Sequence, residues 1–179
     1  MERLAETNII PVGPGDAAAL AEVHVRAWRE TYVGLLPARY LSRMNTALHA
    51  TRWRRQLSRT RAGDVVLAAE GPDGLVGYCA GAILSHSPIH EAEVFTLYVL
   101  RGSQGLGLGR RLLSTAARVL QAESAASLRL WVLSGNVRAK EFYAHMGGHP
   151  VSERPVSGWG GGFSEIAYRW GDISLLARG

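Results

Sequence analysis

Cysteine, lysine and long apolar segments are scarce in this chain of 179 residues. The single cysteine, Cys79, excludes an intramolecular disulfide. The longest weakly polar stretch covers residues 75–84, about half of the roughly 20 residues that a membrane helix needs. The first residues are polar and do not resemble the apolar part of a signal peptide. We therefore expect a cytoplasmic protein that does not contact membranes.

The composition that is present favours a folded protein. Hydrophobic residues make up 47% of the chain and charged residues 20%, which is typical of globular domains and excludes a disordered chain. At this length we expect one domain that spans residues 1–179.

Positive charge is concentrated in one part of the chain. The formal net charge is +5, and the segment from Arg26 to Arg61 holds nine arginines and one acid, Glu30. Such a surface can attract nucleic acid or a phosphorylated small molecule. Because no nucleic-acid-binding motif accompanies it, we favour a solvated helix face and expect no nucleic-acid partner.

Periodicity and turn signals predict alternating helices and strands. The expected strands are residues 8–12, 64–70, 75–84, 92–100, 127–133, 151–154 and 163–170. The expected helices lie between Asp16 and Gly34 and at residues 35–44, 47–59, 107–122 and 136–146. This order predicts an α/β fold.

Glycines recur at alternate positions where a predicted strand passes into a helix, at Gly105, Gly107 and Gly109. Glycine lets backbone N–H groups converge, and a helix N-terminus favours an anion such as a pyrophosphate. A P-loop is excluded because the chain has no Gly-Lys pair. A Rossmann fingerprint fails because Arg110 stands where the third glycine is required. A glycine-rich helix entry without a ligand stays open as the lesser alternative.

The turn resembles a known family motif. The segment Gln104-Gly105-Leu106-Gly107-Leu108-Gly109 matches the Gln/Arg-x-x-Gly-x-Gly/Ala motif of the GNAT superfamily of N-acetyltransferases. The resemblance continues upstream in Leu97-x-Val99 and downstream in Asn136-x-x-Ala139-x-x-Phe142-Tyr143-x-x-x-Gly147. Residues 27–37 also resemble the opening segment of bacterial members. The chain is therefore identified as a bacterial-type member of that superfamily.

The resemblance implies a GNAT-like fold, a mixed central sheet with splayed central strands flanked by helices, and acetyl-CoA bound as cosubstrate. It implies cofactor contacts along one strand, at the glycine turn and at the last helix, from Leu97, Tyr98, Val99, Gln104, Gly105, Leu106, Gly107, Leu108, Gly109, Arg110, Asn136 and Tyr143. The sequence departs from the family at Gly148, where relatives carry an aromatic residue, and no proline follows Val99. We expect these departures to loosen local packing.

The resemblance further implies direct attack of a primary amine on the thioester in a ternary complex. The Val99 N–H is then the oxyanion donor and Tyr143 the general acid, with a core aromatic role as the alternative for Tyr143. Glu93 is the candidate base, and strand alternation predicts that it shares a face with Leu97 and Val99. A solvated carboxylate at Glu93, with water as the base, is the alternative.

By the same resemblance, Trp28, Tyr32 and Trp159 should form the acceptor pocket for a small-molecule or peptide amine. Cys79 lies inside a predicted strand, so we expect an inert thiol rather than an acetyl carrier. The segment from His86 to Glu93 is rich in histidine and glutamate but follows no zinc spacing, and we expect no metal. A homodimer is left open. A non-catalytic acyl-CoA sensor or interaction module on the same fold is the alternative function.

Overall fold

The computed structural model describes residues 7–85, 87, 89–157, 159 and 161–178. Its strands form one seven-stranded sheet in the order β1-β2-β3-β4-β5-β7-β6. They are β1 (Asn8–Pro11), β2 (Asp64–Gly71), β3 (Gly74–Ile83), β4 (Glu91–Val99), β5 (Ser127–Leu133), β6 (His149–Pro155) and β7 (Ser164–Trp170). Strands β4 and β5 are parallel and the other neighbours are antiparallel. The predicted mixed sheet is confirmed.

Six α-helices accompany the sheet within the described ranges: α1 (Ala17–Tyr32), α2 (Ala38–Ser42), α3 (Thr46–Leu57), α4 (Leu108–Ala122), α5 (Val137–His145) and α6 (Ser174–Ala177). Helix α2 begins later than predicted because Pro37 is extended, with ψ 131°. The sequence did not predict α6, whose four residues are too few for a periodic pattern. None of the helices described is both long and apolar enough to span a membrane.

The helices cover the sheet on both faces and create two apolar cores. Helix α4 buries Leu112, Leu113 and Leu120 against one face, together with α5 and α6. Helices α1 and α3 cover the other face through residues such as Leu20 and Trp53. Each of the two long helices thus buries one apolar side against the sheet.

The parallel strands β4 and β5 pair only at their beginnings. Their register runs from Glu91 opposite Ser127 to Val94 opposite Leu130, and no pairing continues beyond Val94. The predicted splay of the central strands is confirmed, and it leaves a gap next to the second half of β4.

Ion pairs connect the two strands where they are still paired. The Arg129 Nε atom lies 2.7 Å from a carboxylate oxygen of Glu93, and Arg129 Nη1 lies 3.2 Å from Glu91. From β7, Arg169 Nε reaches Glu91 at 2.7 Å. Glu91 is buried, and its two arginine partners compensate the cost of burying its charge.

A bulge in β4 changes which side chains share a face. Ala80 of β3 lies opposite Thr96, whereas the next residue, Gly81, lies opposite Val94. Phe95 is thus an extra residue on β4, and the alternation of side chains reverses there.

The prediction that Glu93 shares a strand face with Leu97 and Val99 is wrong for this reason. Val94, before the bulge, packs into the same core as Leu97 and Val99 after it. Glu93, which precedes Val94, therefore lies on the opposite face.

The expectation of loose packing at Gly148 is also wrong. A Cβ atom at Gly148 would lie 2.6 Å from Cζ2 of Trp170, so the indole occupies the space of a side chain. Trp170 is 1% exposed, and its Nε1 donates a 2.8 Å hydrogen bond to the Met146 carbonyl. The glycine, which lies just before β6, is required by a buried tryptophan from β7.

Candidate active site

A cleft of about 610 Å³ opens where β4 and β5 separate. Its walls are the second half of β4, the glycine turn before α4, residues 135–139, and the end of α1 around Tyr32. The splay thus places a strand edge, a helix N-terminus and several aromatic side chains around one space.

The free edge of β4 faces this gap. The Leu100 N–H donates to the Val76 carbonyl of β3 at 2.8 Å. Because hydrogen bonds alternate along an antiparallel strand, the amide of Val99 points the other way, across the gap. The Val99 carbonyl accepts a 2.7 Å hydrogen bond from Gln104 Nε2. This bond ties the glycine turn to the end of β4 and leaves the Val99 N–H facing the cleft.

The glycine turn has the geometry of an anion cradle. Gly105 and Gly107 have φ of +77° and +74°, and a Cβ at either position would meet no atom within 4 Å. The first backbone hydrogen bond of α4 runs from Arg111 to the Gly107 carbonyl at 3.0 Å, and no side chain caps the helix. The amides before Arg111 are thus available to a ligand, as at other anion-binding helix N-termini.

The predicted cofactor residues mostly line this cleft, with one exception. Leu97, Tyr98, Val99, Gln104, Gly105, Gly107, Leu108, Gly109, Arg110, Asn136 and Tyr143 all do so. Leu106 does not, and its side chain is exposed. Any contact from Leu106 would therefore come from its backbone.

Helix α5 is held close to the glycine turn. The Asn136 Oδ1 atom caps α5 by accepting a 3.2 Å hydrogen bond from the Ala139 N–H. A Cβ at Gly109 would lie 3.4 Å from the Phe142 ring. The third glycine of the turn thus permits close packing of α4 on α5.

Tyr143 of α5 is part of both the core and the cleft wall. It is 8% exposed, and its ring lies 5.3 Å from Phe142. Its hydroxyl forms no hydrogen bond with another residue that the structure describes. Burial, with smaller contributions from Tyr32 and Cys79, raises the pKa of Tyr143 above its ordinary value. The hydroxyl is therefore fully protonated at neutral pH.

Glu93 lies apart from this group. It is not among the residues that line the cleft, and its carboxylate is paired with Arg129. Its role as a base stays a prediction, and the ion pair favours a structural role.

The three predicted acceptor residues lie together at the end of α1. The rings of Trp28 and Tyr32 are 4.8 Å apart, and those of Trp28 and Trp159 are 6.4 Å apart. Tyr32 lines the cleft and its hydroxyl lies 3.0 Å from that of Tyr98. Trp28 and Trp159 do not line the cleft; Trp28 contacts the Tyr32 ring, and Trp159 contacts Trp28.

Sequence reasoning missed two polar groups in the cleft wall. Trp131 Nε1 is buried without a hydrogen-bond partner among the described residues, and Thr96 Oγ1 is buried beside the Tyr78 hydroxyl; both residues line the cleft. Thr96 follows the bulge, and Trp131 follows the last residue of β5 that pairs with β4, so only the pairing of the strands identifies them.

Metal and thiol chemistry have little support in the parts of the chain that are described. No group of three histidine, cysteine, aspartate or glutamate side chains there could hold a metal ion. His86, from the cluster considered above, lies outside the described residues. Burial raises the pKa of the Cys79 thiol to about 12, which favours an inert thiol.

This combination of splayed strands, glycine turn and buried tyrosine is accompanied by a clear family match. Residues 23–147 match the model of the acetyltransferase (GNAT) family. The chain belongs to this family, as the motifs predicted.

Individual relatives extend the similarity over nearly the whole chain. The chain is 30% identical over 162 residues to the uncharacterized N-acetyltransferase YuaI of Bacillus subtilis (strain 168), covering 90% of this chain and 91% of that protein. The N-acetyltransferase PaiA of Thermoplasma acidophilum, solved with coenzyme A, is 20% identical, with a TM-score of 0.71 over 92% of this chain and 98% of that one. YncA of Salmonella typhimurium, solved with acetyl-CoA, is 20% identical, with a TM-score of 0.70 and 94% of each chain covered. The solved structures support the fold.

Proposed function

We propose that this protein is an N-acetyltransferase that moves the acetyl group of acetyl-CoA to a primary amine by direct attack in a ternary complex. The observation that carries the proposal is the cleft between β4 and β5. There the free Val99 amide, the open glycine turn and the Tyr143 hydroxyl line one space. Family membership supplies the class of reaction.

The residues of the cleft fit acetyl-CoA. The amides at Gly105 and Gly107 would hold the pyrophosphate, since their backbone leaves open space where other residues carry side chains. The edge of β4 from Leu97 to Val99 would pair with the amide groups of the pantetheine arm. Coenzyme A and acetyl-CoA are the ligands of the PaiA and YncA structures.

In the proposed reaction the neutral amine attacks the thioester carbonyl carbon, and the carbon–sulfur bond then breaks. The Val99 N–H would stabilise the oxyanion of the tetrahedral intermediate. Tyr143 would donate its proton to the departing thiolate, and the resulting tyrosinate would regain, through water in the cleft, the proton that the amine nitrogen releases. Burial raises the pKa of Tyr143 and raises that of the nearby Cys79 thiol to about 12. A thiolate leaving in the same apolar surroundings is therefore also a stronger base than in water, which offsets the weaker acidity of the buried Tyr143 hydroxyl.

The proton of the attacking amine must leave before or during the attack. We propose that water in the cleft carries it away, because Glu93 is bound to Arg129 outside the cleft wall.

A screen of primary amines with acetyl-CoA, read out as free thiol, tests the proposal. We expect at least one amine to give turnover, and Tyr143→Phe to lower kcat by about 10²–10⁴-fold with little change in CoA affinity. The ring of Phe keeps the contact with Phe142. Equal kcat values for the variant and the wild type would mean that Tyr143 is a core aromatic residue and not the general acid. Tight CoA binding without turnover on any amine would favour the acyl-CoA sensor.

A further inference from the structure

Trp131, Arg154 and Glu165 form a cluster on one face of β5, β6 and β7. Arg154 lies opposite Glu165 across the strands, and Trp131 lies opposite Ala167, two residues from Glu165, so the three side chains share a face. The Arg154 guanidinium carbon is 3.8 Å from the centroid of the Trp131 ring. Arg154 Nε is 2.5 Å from Glu165 Oε1. An aromatic face and a carboxylate around one cation are the groups that bind an organic cation.

This cluster borders the cleft on the side of the acceptor residues. Trp131 lines the cleft, and Glu165 lies opposite Leu133, the last residue of β5. Burial raises the pKa of Tyr32, its hydrogen bond with Tyr98 opposes the shift, and the negative charge of Glu165 raises it further. Glu165 is therefore close enough to the cleft to act on Tyr32 electrostatically.

Arg154 is the member of the cluster that can move most easily. Its side chain is 55% exposed, against 21% for Glu165. It lies on β6, an edge strand whose seven residues are all exposed. Trp131 and Glu165 lie on the inner strands β5 and β7. Displacing the Arg154 side chain would therefore uncover the ring and the carboxylate without opening the core.

We propose that Trp131 and Glu165 form a binding site for a second positive charge on the amine acceptor, and that Arg154 occupies this site until the acceptor displaces it. The proposal rests on the function proposed above and names its substrate class: primary amines that carry another cationic group. Binding of an acceptor that carries a carboxylate is disfavoured, because Arg154 already forms an ion pair with Glu165.

Three acceptors of similar length test the proposal: putrescine, butylamine and γ-aminobutyrate, each with acetyl-CoA and the full chain. We expect the lowest KM for putrescine. Glu165→Gln should raise that KM roughly tenfold, because it removes the carboxylate, and leave the KM for butylamine unchanged. Arg154→Gln should lower the KM for putrescine, because the site is then open.

Glu153→Gln is the matched control. Glu153 precedes Arg154 on β6, lies on the opposite face and accepts a hydrogen bond from Ser164. The Glu153→Gln substitution changes the charge by the same amount as Glu165→Gln, at a position next to Arg154 in the sequence. We expect its KM for putrescine to equal that of the wild type. An equal rise in KM for Glu153→Gln and Glu165→Gln would overturn the proposal in favour of a general surface-charge effect.

Two further kinetic results would overturn it. One is equal KM for the three acceptors. The other is a preference for γ-aminobutyrate that Arg154→Gln abolishes, which would mean that Arg154 recognises a carboxylate.

If no amine releases thiol, the proposed acetyl transfer fails separately. Calorimetry with putrescine and the CoA-saturated protein then decides: weaker binding to the Glu165→Gln variant supports the site, and equal or absent binding overturns it.

Discussion

His24 of α1 is expected to make the protein less stable in mild acid. Burial lowers its pKa from 6.5 to about 4, and the positive charges of His49 and Arg52 contribute to the shift. Its Nδ1 atom lies 2.6 Å from the Tyr78 hydroxyl. The rings of Trp28, Trp53, Tyr78 and Tyr98 surround it.

The sign of the effect follows from proton binding in the two states. Below pH 6.5 the unfolded chain protonates His24, whereas the folded protein does so only near pH 4. The free energy of unfolding therefore falls as the pH decreases through this window. The full shift bounds the loss at roughly 3 kcal/mol, and between pH 7 and pH 5 we expect about 2 kcal/mol.

Urea denaturation at pH 7 and pH 5 measures this loss. His24→Gln removes the titrating group, and its side-chain amide can still form a hydrogen bond with Tyr78. On going from pH 7 to pH 5, the free energy of unfolding of this variant should therefore fall by about 2 kcal/mol less than that of the wild type. His145→Gln, the same substitution at an exposed position on α5 away from the His24 pocket, is the control. Equal acid losses for wild type and His24→Gln would refute the reasoning.

Three further predictions concern the cleft and its support. Gly107→Val should abolish CoA binding in a folded protein, because a side chain would enter the pyrophosphate cradle, where φ is +74°; calorimetry with CoA measures this. Gly148→Ala should destabilise the protein by about 1–3 kcal/mol, because its Cβ would collide with Trp170 at 2.6 Å; urea denaturation measures this. Glu93→Gln should leave the acidic limb of the kcat/KM profile unchanged and cost about 1 kcal/mol of stability, because it breaks an ion pair outside the cleft.

Each of these has an outcome that contradicts it. Gly74→Val at the start of β3, also at positive φ with open space, should bind CoA normally. Equal losses of CoA binding in both valine variants would point to backbone strain rather than a cradle. An unchanged urea midpoint for Gly148→Ala would mean that the indole of Trp170 can shift. A flattened acidic limb in Glu93→Gln would support Glu93 as the base.

Local signals in the sequence determined most elements and the cofactor turn. The apolar spacing of α1 and α4 predicts helices because one side of each must be buried. The alternate glycines predict the anion cradle because only glycine combines positive φ with an open approach for a ligand, as at Gly105 and Gly107. Such signals depend on neighbours in the chain, and they can be interpreted without the fold.

Only the tertiary structure could reveal the features that arise from strand register and from contacts between distant segments. The extra residue Phe95 reverses the faces of β4 and moves Glu93 away from Leu97, and only pairing with β3 reveals it. Gly148 interrupts the family pattern, and its reason is the indole of Trp170 from β7.

The cluster of Trp131, Arg154 and Glu165 likewise exists only in the folded sheet. Its residues come from β5, β6 and β7, and the order β5-β7-β6 brings them onto one face. The sequence by itself determined which segments are strands. Because side chains on different strands meet only through register, the cation-binding chemistry of this face was decided by the tertiary structure.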